Sequence, residues 1–218
     1  MHQHQLLSFA SKLVSGRSEN NNAKSFSTPT YSPDQFLTVQ PVHRLSDVEF
    51  KRLKEHYFTV YEAELETRGN PVLRNMERTV QVWHRCCVDG VIFHCKQYQC
   101  RNSARLNHLA CICQQVDLNA NFSRNTWPEV MVDQLHYVEI HYFCVHIFHG
   151  VPHMLMFSTY RNTNVHDGLV EDRGKKNDGF QDIRTLQHVC GKVQSKGKTY
   201  IVDNLETLAE RLQDVFNR

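Results

Sequence analysis

The sequence predicts an α+β domain: a mostly antiparallel sheet of about seven strands, curled or closed into a small barrel, with one amphipathic helix at each end. Apolar residues recur at helical spacing over about 47–68 and 204–217. Between these segments, over about 78–202, stretches of the chain alternate at the period of a β-strand. Because helices do not alternate with strands, the pattern does not predict a parallel βαβ sheet.

The composition fits one domain without a membrane span. The chain has 218 residues with 40% apolar residues, a mean hydropathy of −0.52 and a formal net charge of +2. The most apolar stretch, 140–148, is far shorter than the roughly 20 residues of a spanning helix, so no membrane partner is expected. The start of the chain lacks the pattern of a signal peptide. We therefore expect a nuclear or cytoplasmic protein whose eight cysteines are reduced thiols.

The first part of the chain is polar. Ser, Asn, Gln and Thr dominate residues 1–43, which offer few apolar side chains to bury. Such a segment cannot offset the entropy lost on ordering, so residues 1–43 are predicted to be a disordered tail. The remaining residues, 44–218, are predicted to form a single α+β domain.

The first helix has the clearest local signal. Ser46 and Glu49 form a capping box, and apolar residues follow at helical spacing from Phe50 onwards. Gly69 then provides a C-terminal stop, and the Pro after it prevents continuation. We predict a helix over about 47–68.

The first hairpin is predicted around Asp89-Gly90, a dipeptide typical of a two-residue turn. This turn places Val88 opposite Val91, Cys86 opposite Phe93 and His84 opposite Cys95. More strands are predicted at about 103–116, 135–148 and 153–160. A long loop (161–179), a final hairpin (185–193 and 199–202) and a last helix capped by Asp203 complete the prediction.

The Cys- and His-rich hairpin region, 84–113, raises the question of a metal. His84, Cys86 and Cys95 can share one face of the hairpin, and zinc takes Cys and His ligands. Cysteine is also among the most buried residue types, so core thiols are the favoured interpretation. No cofactor is therefore expected, and a zinc ion is part of the alternative interpretation only. Nothing distinguishes one cysteine as a nucleophile, so no catalytic residue is predicted.

Basic residues exceed acidic ones in two parts of the predicted sheet. Residues 84–124 contain five basic and two acidic residues, and residues 161–198 contain eight basic and five acidic residues. With Trp83, Tyr98 or Phe180 exposed nearby, such a surface can hold a nucleic-acid strand. The predicted nucleic-acid contacts are Arg101, Arg105, Lys175 and Lys176.

The order of several short segments resembles that of a known family. These segments are a capped helix over 45–57, Val82-Trp83-His84, Gly90-Val91-Ile92-Phe93, Tyr137–Phe143, His153–Phe157 and Tyr200–Asn204. The order resembles the β-rich region that follows the catalytic core in transposases of CACTA-type (En/Spm-like) DNA transposons and in orphan proteins derived from them. The resemblance covers about residues 45–218.

This resemblance implies an accessory nuclear module without catalysis, because the family's acidic metal-binding residues belong to an RNase H-like core upstream. No catalytic residue is therefore carried over to this sequence. We predict a non-enzymatic accessory binding module of transposon-derived type that contacts nucleic acid, such as DNA, or a partner protein. A zinc-stabilised structural domain built on the hairpin 84–113 is the alternative, and a gene fragment without selected function is also left open.

Overall fold

The described part of the chain forms one large antiparallel sheet with one main helix. The computed structural model describes residues 25–65, 67, 69–98, 108–119, 129–166 and 169–203. Within these residues the helices are α1 (Asp47–Val60), α2 (Glu62–Leu65) and α3 (Pro71–Arg74). The strands are β1 (Ser25–Phe26), β2 (Gln35–Arg44), β3 (Thr79–Val88), β4 (Val91–His94), β5 (Leu109–Asp117), β6 (Met131–Phe148), β7 (Val151–His166), β8 (Leu169–Asp182), β9 (Leu186–Val189), β10 (Gly191–Ser195) and β11 (Lys198–Val202).

The sequence predicted a curled sheet or small barrel of about seven strands. Within the described residues, the structure instead has an open sheet of eleven strands. Its main order is β1-β2-β3-β6-β7-β8-β11-β10, while β4 pairs with β3, and β5 pairs with β6 and β9. The long strand β6 organises this arrangement. It pairs with β5 and β3 along one edge and with β7 along the other.

Both faces of the central strands are buried, because β6 alternates between two cores. Phe143 and Val145 face the first core, and Tyr142 and Cys144 face the second. The first core is mainly aromatic and apolar and includes Phe26, Phe36, Trp83, Phe93, Ile140 and Met156. The second core lies beneath α1 and includes Leu45, Phe50, Leu53, Tyr57, Leu155 and Phe180. A smaller third cluster contains Leu109, Cys111, Tyr137, Cys190 and Ile201.

The predicted helix start at Ser46 is confirmed. The Ser46 N–H donates to the Glu49 carboxylate over 2.8 Å, and the Glu49 N–H donates to the Ser46 hydroxyl over 3.3 Å. The helix does not continue to residue 68, because α1 ends at Val60 and Tyr61 leaves the helical conformation. The Tyr61 ring packs against Phe148 at 5.3 Å, so tertiary packing overrides the helical pattern here.

The prediction of a disordered tail is wrong for residues 25–43. Strand β2 pairs with β3 over most of its length, and it places Phe36 completely inside the first core. The polar composition hid this strand, since its remaining side chains are mostly half-buried or exposed. Residues 1–24 lie outside the described part of the chain.

The hairpin around Asp89-Gly90 is confirmed in its predicted register. Val88 pairs with Val91, Cys86 pairs with Phe93, and both turn residues have positive φ angles. The predicted loop over 161–179 is wrong, because most of this segment lies in β7 and β8, which pair as a long ribbon. The predicted last helix, 204–217, lies outside the described residues.

A buried tyrosine–histidine pair joins α1 to the sheet. His146 Nε2 lies 3.2 Å from the Glu77 carbonyl oxygen, and Nδ1 lies 2.9 Å from the Tyr57 hydroxyl. A neutral imidazole satisfies both contacts when its Nε2–H donates to the Glu77 carbonyl and its Nδ1 accepts a hydrogen bond from the Tyr57 hydroxyl. Burial lowers the pKa of His146 to about 4, and the nearby His153 and His56 act in the same direction.

This pair predicts a loss of stability in mild acid. In the unfolded chain His146 takes up a proton near pH 6.5, whereas the folded protein resists protonation until about pH 4. The free energy of unfolding should therefore fall as the pH drops through this window, by up to about 3 kcal/mol for this residue. Urea unfolding of the wild type and of His146→Gln across the window measures the effect. The slope with pH should be smaller in His146→Gln and unchanged in His149→Gln, at an exposed turn; equal slopes in all three proteins would contradict the assignment.

None of the helices in the described ranges is long and apolar enough to cross a membrane.

Candidate functional site

Six basic residues are distributed over both faces of three neighbouring strands and the turn between two of them. Ile201 of β11 lies opposite Val170 of β8 and opposite Lys192 of β10, so these strands are adjacent. The six residues, called the basic patch, are Arg173, Lys175, Lys176, Lys192, Lys196 and Lys198. The same segments, 171–178 and 191–202, contain three acidic residues, Glu171, Asp172 and Asp178. The patch region therefore carries an excess of three positive charges.

The acidic side chains of this region lie deeper than the basic ones. The three carboxylates are only 2% to 22% exposed, whereas the four basic-patch side chains paired with them are 27% to 59% exposed. Lys176 and Lys196 are also exposed. Because the negative charges lie beneath the positive ones, the surface that faces solvent is more basic than the sequence count alone suggests.

Asp172 anchors this arrangement from below. Arg161 Nη2 and Lys192 Nζ each lie 3.0 Å from its carboxylate, and the Gly174 N–H donates to it over 2.9 Å. Burial raises the pKa of Asp172, but the Gly174 hydrogen bond and the two cations outweigh burial and hold this pKa below its usual value. Asp172 therefore stays ionised at neutral pH and fixes Lys192 at the surface.

The two predicted contacts on β8 lie on opposite faces of the sheet. Lys175 pairs with Asp178 at 2.7 Å, and Asp178 accepts a hydrogen bond from Thr159 on the face of the second core. Lys176 lies near His136, on the other face, and lowers the pKa of that histidine in addition to the effect of burial. Lys176 is the extra residue, without a pairing partner on β7, at an irregularity in the β7–β8 register between Tyr160 and Arg161.

A more compact group lies on β8 and β11, and sequence reasoning did not single it out. Arg173 and Lys198 approach the same Glu171 carboxylate at 3.6 Å and 3.5 Å. Tyr200 is half-buried and stands directly opposite Glu171 in the strand register. Two cations beside an aromatic ring are thus brought together. The predicted final strand, 199–202, contained Tyr200, but Lys198 was assigned to the turn before it and the partner strand was assigned to a loop.

The other predicted contacts have different outcomes. Arg101 and Arg105 lie outside the described residues. Trp83 and Phe180 are buried in the two cores and cannot stack on a ligand, which corrects the expectation that they are exposed. Tyr98 is partly buried and lies against the Arg85 guanidinium at 5.4 Å.

The predicted zinc ligands His84, Cys86 and Cys95 do not form a metal-binding group. Cys86 and Cys95 are buried in the first core, as expected for thiols that act as small apolar residues. Within the described residues, one group of three candidate ligand atoms lies within 4.8 Å of one another, and it consists of Cys111, His188 and Asp203. Among the described residues, the predicted set of His84, Cys86 and Cys95 therefore does not supply the zinc site of the alternative interpretation.

Comparison with known proteins adds no relative: no family model, curated protein or solved structure matches the chain.

Proposed function

We propose that this chain is a non-enzymatic accessory binding module of transposon-derived type that contacts nucleic acid through three residues of the basic patch, Arg173, Lys176 and Lys198. The observation that carries the proposal is the arrangement on β8 and β11, where the exposed Arg173 and Lys198 lie over the Glu171 carboxylate on the face that also carries Tyr200. Cations arranged along adjacent strands suit a phosphate backbone, which repeats its negative charge at short intervals. A nuclear location belongs to the same proposal.

The group around Tyr200 supplies the second element of such a surface. Proteins that bind single strands combine a positive groove with aromatic side chains on which bases stack. Arg173 and Lys198 flank Glu171, and Tyr200 lies opposite that residue, so cations and a ring share one face. Each stacked base is worth about 1–3 kcal/mol, enough to favour single strands over a duplex.

The proposal predicts binding that weakens with salt. A labelled single-stranded DNA should bind the full chain at low ionic strength, with an affinity that falls as salt rises. Changing Arg173, Lys176 and Lys198 together to Gln should lower the affinity and reduce the logarithmic salt slope by about 2–3, since each lost phosphate contact contributes about 0.7–0.9. Fluorescence anisotropy over a series of salt concentrations measures both quantities.

A matched control variant distinguishes the effect of the basic patch on affinity from the effect of net charge alone. Arg44, Lys51 and Arg74 are exposed and lie on β2, α1 and α3, outside the basic patch, so the triple Gln variant at these positions removes the same charge. This control should keep most of the affinity and slope. Tyr200→Ala should lower the affinity for single strands while leaving the slope unchanged. Absence of binding at low salt, or equal losses in both triple variants, would overturn the proposal in favour of a protein partner.

A further inference from the structure

Beside the third cluster, a thiol, an imidazole and a carboxylate come together from three separate segments of the chain. Cys111 on β5 lies opposite His188 on β9, and Asp203 directly follows β11. The Cys111 sulfur, a His188 ring nitrogen and an Asp203 oxygen all lie within 4.8 Å of one another. We infer that these three residues bind a zinc ion, at a site that differs from the predicted ligand set His84, Cys86 and Cys95 and is independent of the basic patch.

The spacing between His188 and Asp203 fits a shared metal better than a hydrogen bond. His188 Nε2 and Asp203 Oδ1 are 3.7 Å apart, which is too long for a hydrogen bond. Two ligand atoms bound to one tetrahedral zinc ion, each about 2.0–2.2 Å from the metal, are about 3.3 Å apart. A shift of a few tenths of an ångström therefore brings this pair to ligand spacing.

His188 Nε2 provides a second, separate observation. This atom is buried and has no hydrogen-bond partner among the described residues. Buried polar atoms almost always have a partner, and an unsatisfied one calls for an explanation such as an absent ion. A metal ion placed between His188, Cys111 and Asp203 would satisfy the nitrogen.

Tyr137 orients the Asp203 carboxylate for metal binding. The Tyr137 hydroxyl donates to Asp203 Oδ2 over 2.6 Å, which leaves Oδ1 as the oxygen nearest to His188. Ligands of metal sites are commonly oriented by such outer hydrogen bonds. Tyr137 is therefore a positioning residue rather than a ligand.

The chemistry of the ligand set favours zinc over other divalent ions. A thiolate with an imidazole suits zinc, whereas magnesium and calcium prefer oxygen ligands alone. A thiolate, a carboxylate and Zn²⁺ sum to no net charge, which suits a site next to apolar residues. Cys111 is fully buried, but the His188 and Asp203 side chains are 41% and 28% exposed, so the ion can enter from their side.

The same geometry argues against a Cys–His–Asp catalytic triad. A nucleophilic cysteine must be partly exposed to reach its substrate, whereas Cys111 has no exposed surface. A buried thiol beside a histidine and a carboxylate can still coordinate a metal ion small enough to pass the two outer ligands.

Metal analysis of the full chain tests the site. After incubation with Zn²⁺ and removal of loose metal, elemental analysis should find one zinc ion per chain, and Co²⁺ should give a thiolate charge-transfer band. Asp203→Asn and His188→Gln should each lose the bound zinc while the circular dichroism spectrum stays native. Tyr137→Phe should keep the ion but bind it about 10–100-fold more weakly.

Two cysteine variants serve as matched controls. Cys190 lies in the same third cluster but outside the group of three, and Cys95 belongs to the hairpin. Cys190→Ala and Cys95→Ala should both retain the zinc, whereas Cys111→Ala should lose both the zinc and the cobalt band. Less than stoichiometric zinc in the wild type, zinc retained in Asp203→Asn and His188→Gln, or zinc lost in either control would overturn the inference.

Discussion

Removing residues 1–44 is expected to unfold the domain. The deleted segment contains three buried aromatic side chains, Phe26, Tyr31 and Phe36, all within the first core. Burying each is worth about 1.5–3 kcal/mol, or about 5–9 kcal/mol together, which is comparable with the total stability of a small domain, about 5–15 kcal/mol. The deletion also leaves the β3 edge without its partner β2.

Thermal unfolding of two truncated chains measures this effect. The chain that begins at Leu45 should show no cooperative transition, whereas the chain that begins at Ser25 keeps both strands and should still unfold cooperatively. The Tyr31 hydroxyl also donates to Asp182 over 2.7 Å, so the deleted segment contacts β8 as well as β3. An unchanged midpoint for the shorter chain would show that β1 and β2 do not contribute to the core.

Phe143→Ala is expected to cost about 3–5 kcal/mol, the usual range for removing a buried Phe. Phe143 has no exposed surface, lies opposite Trp83 on β3 and packs against the Phe36 ring at 5.7 Å. The substitution leaves a cavity between three strands that cannot easily collapse, because β6 is paired along both edges. Urea unfolding should show a lower midpoint with an unchanged slope.

Leu135→Ala is the matched control on the same strand. Its side chain is 55% exposed, so the substitution should change the free energy of unfolding by no more than about 0.5 kcal/mol. Similar losses for the two variants would mean that the first core is not closed around Phe143.

The elements that were predictable from the sequence are those set by neighbouring residues. The capping box at Ser46 and the turn at Asp89-Gly90 depend on side chains and φ angles within a few residues, and both were found where predicted. Strand β2 was missed because it is stabilised by pairing with β3, and its own sequence is interrupted by Pro41. Pairing between distant segments leaves little trace in local composition.

The β7–β8 ribbon was missed for a different reason. Strand patterns are recognised by alternating apolar residues, but here ion pairs replace them, as in Arg161 with Asp172. The sequence therefore indicated the excess of positive charge in this region, but not the strands on which the basic residues lie. The group of Cys111, His188 and Asp203 was not predictable, because its members are far apart in the sequence and come together only in the folded chain.

The position of β6 has a consequence for how the protein folds. The hairpins β3–β4, β6–β7, β7–β8 and β10–β11 join neighbouring segments, and hairpins close within about 1–10 μs. The pairings β3–β6 and β5–β9 join distant segments, so chain entropy opposes them until many contacts form at once. Sheets dominated by such pairings fold in about milliseconds to seconds. Since β6 supplies side chains to both the first and the second core, docking of β3 onto β6 should be the late step that assembles both cores together.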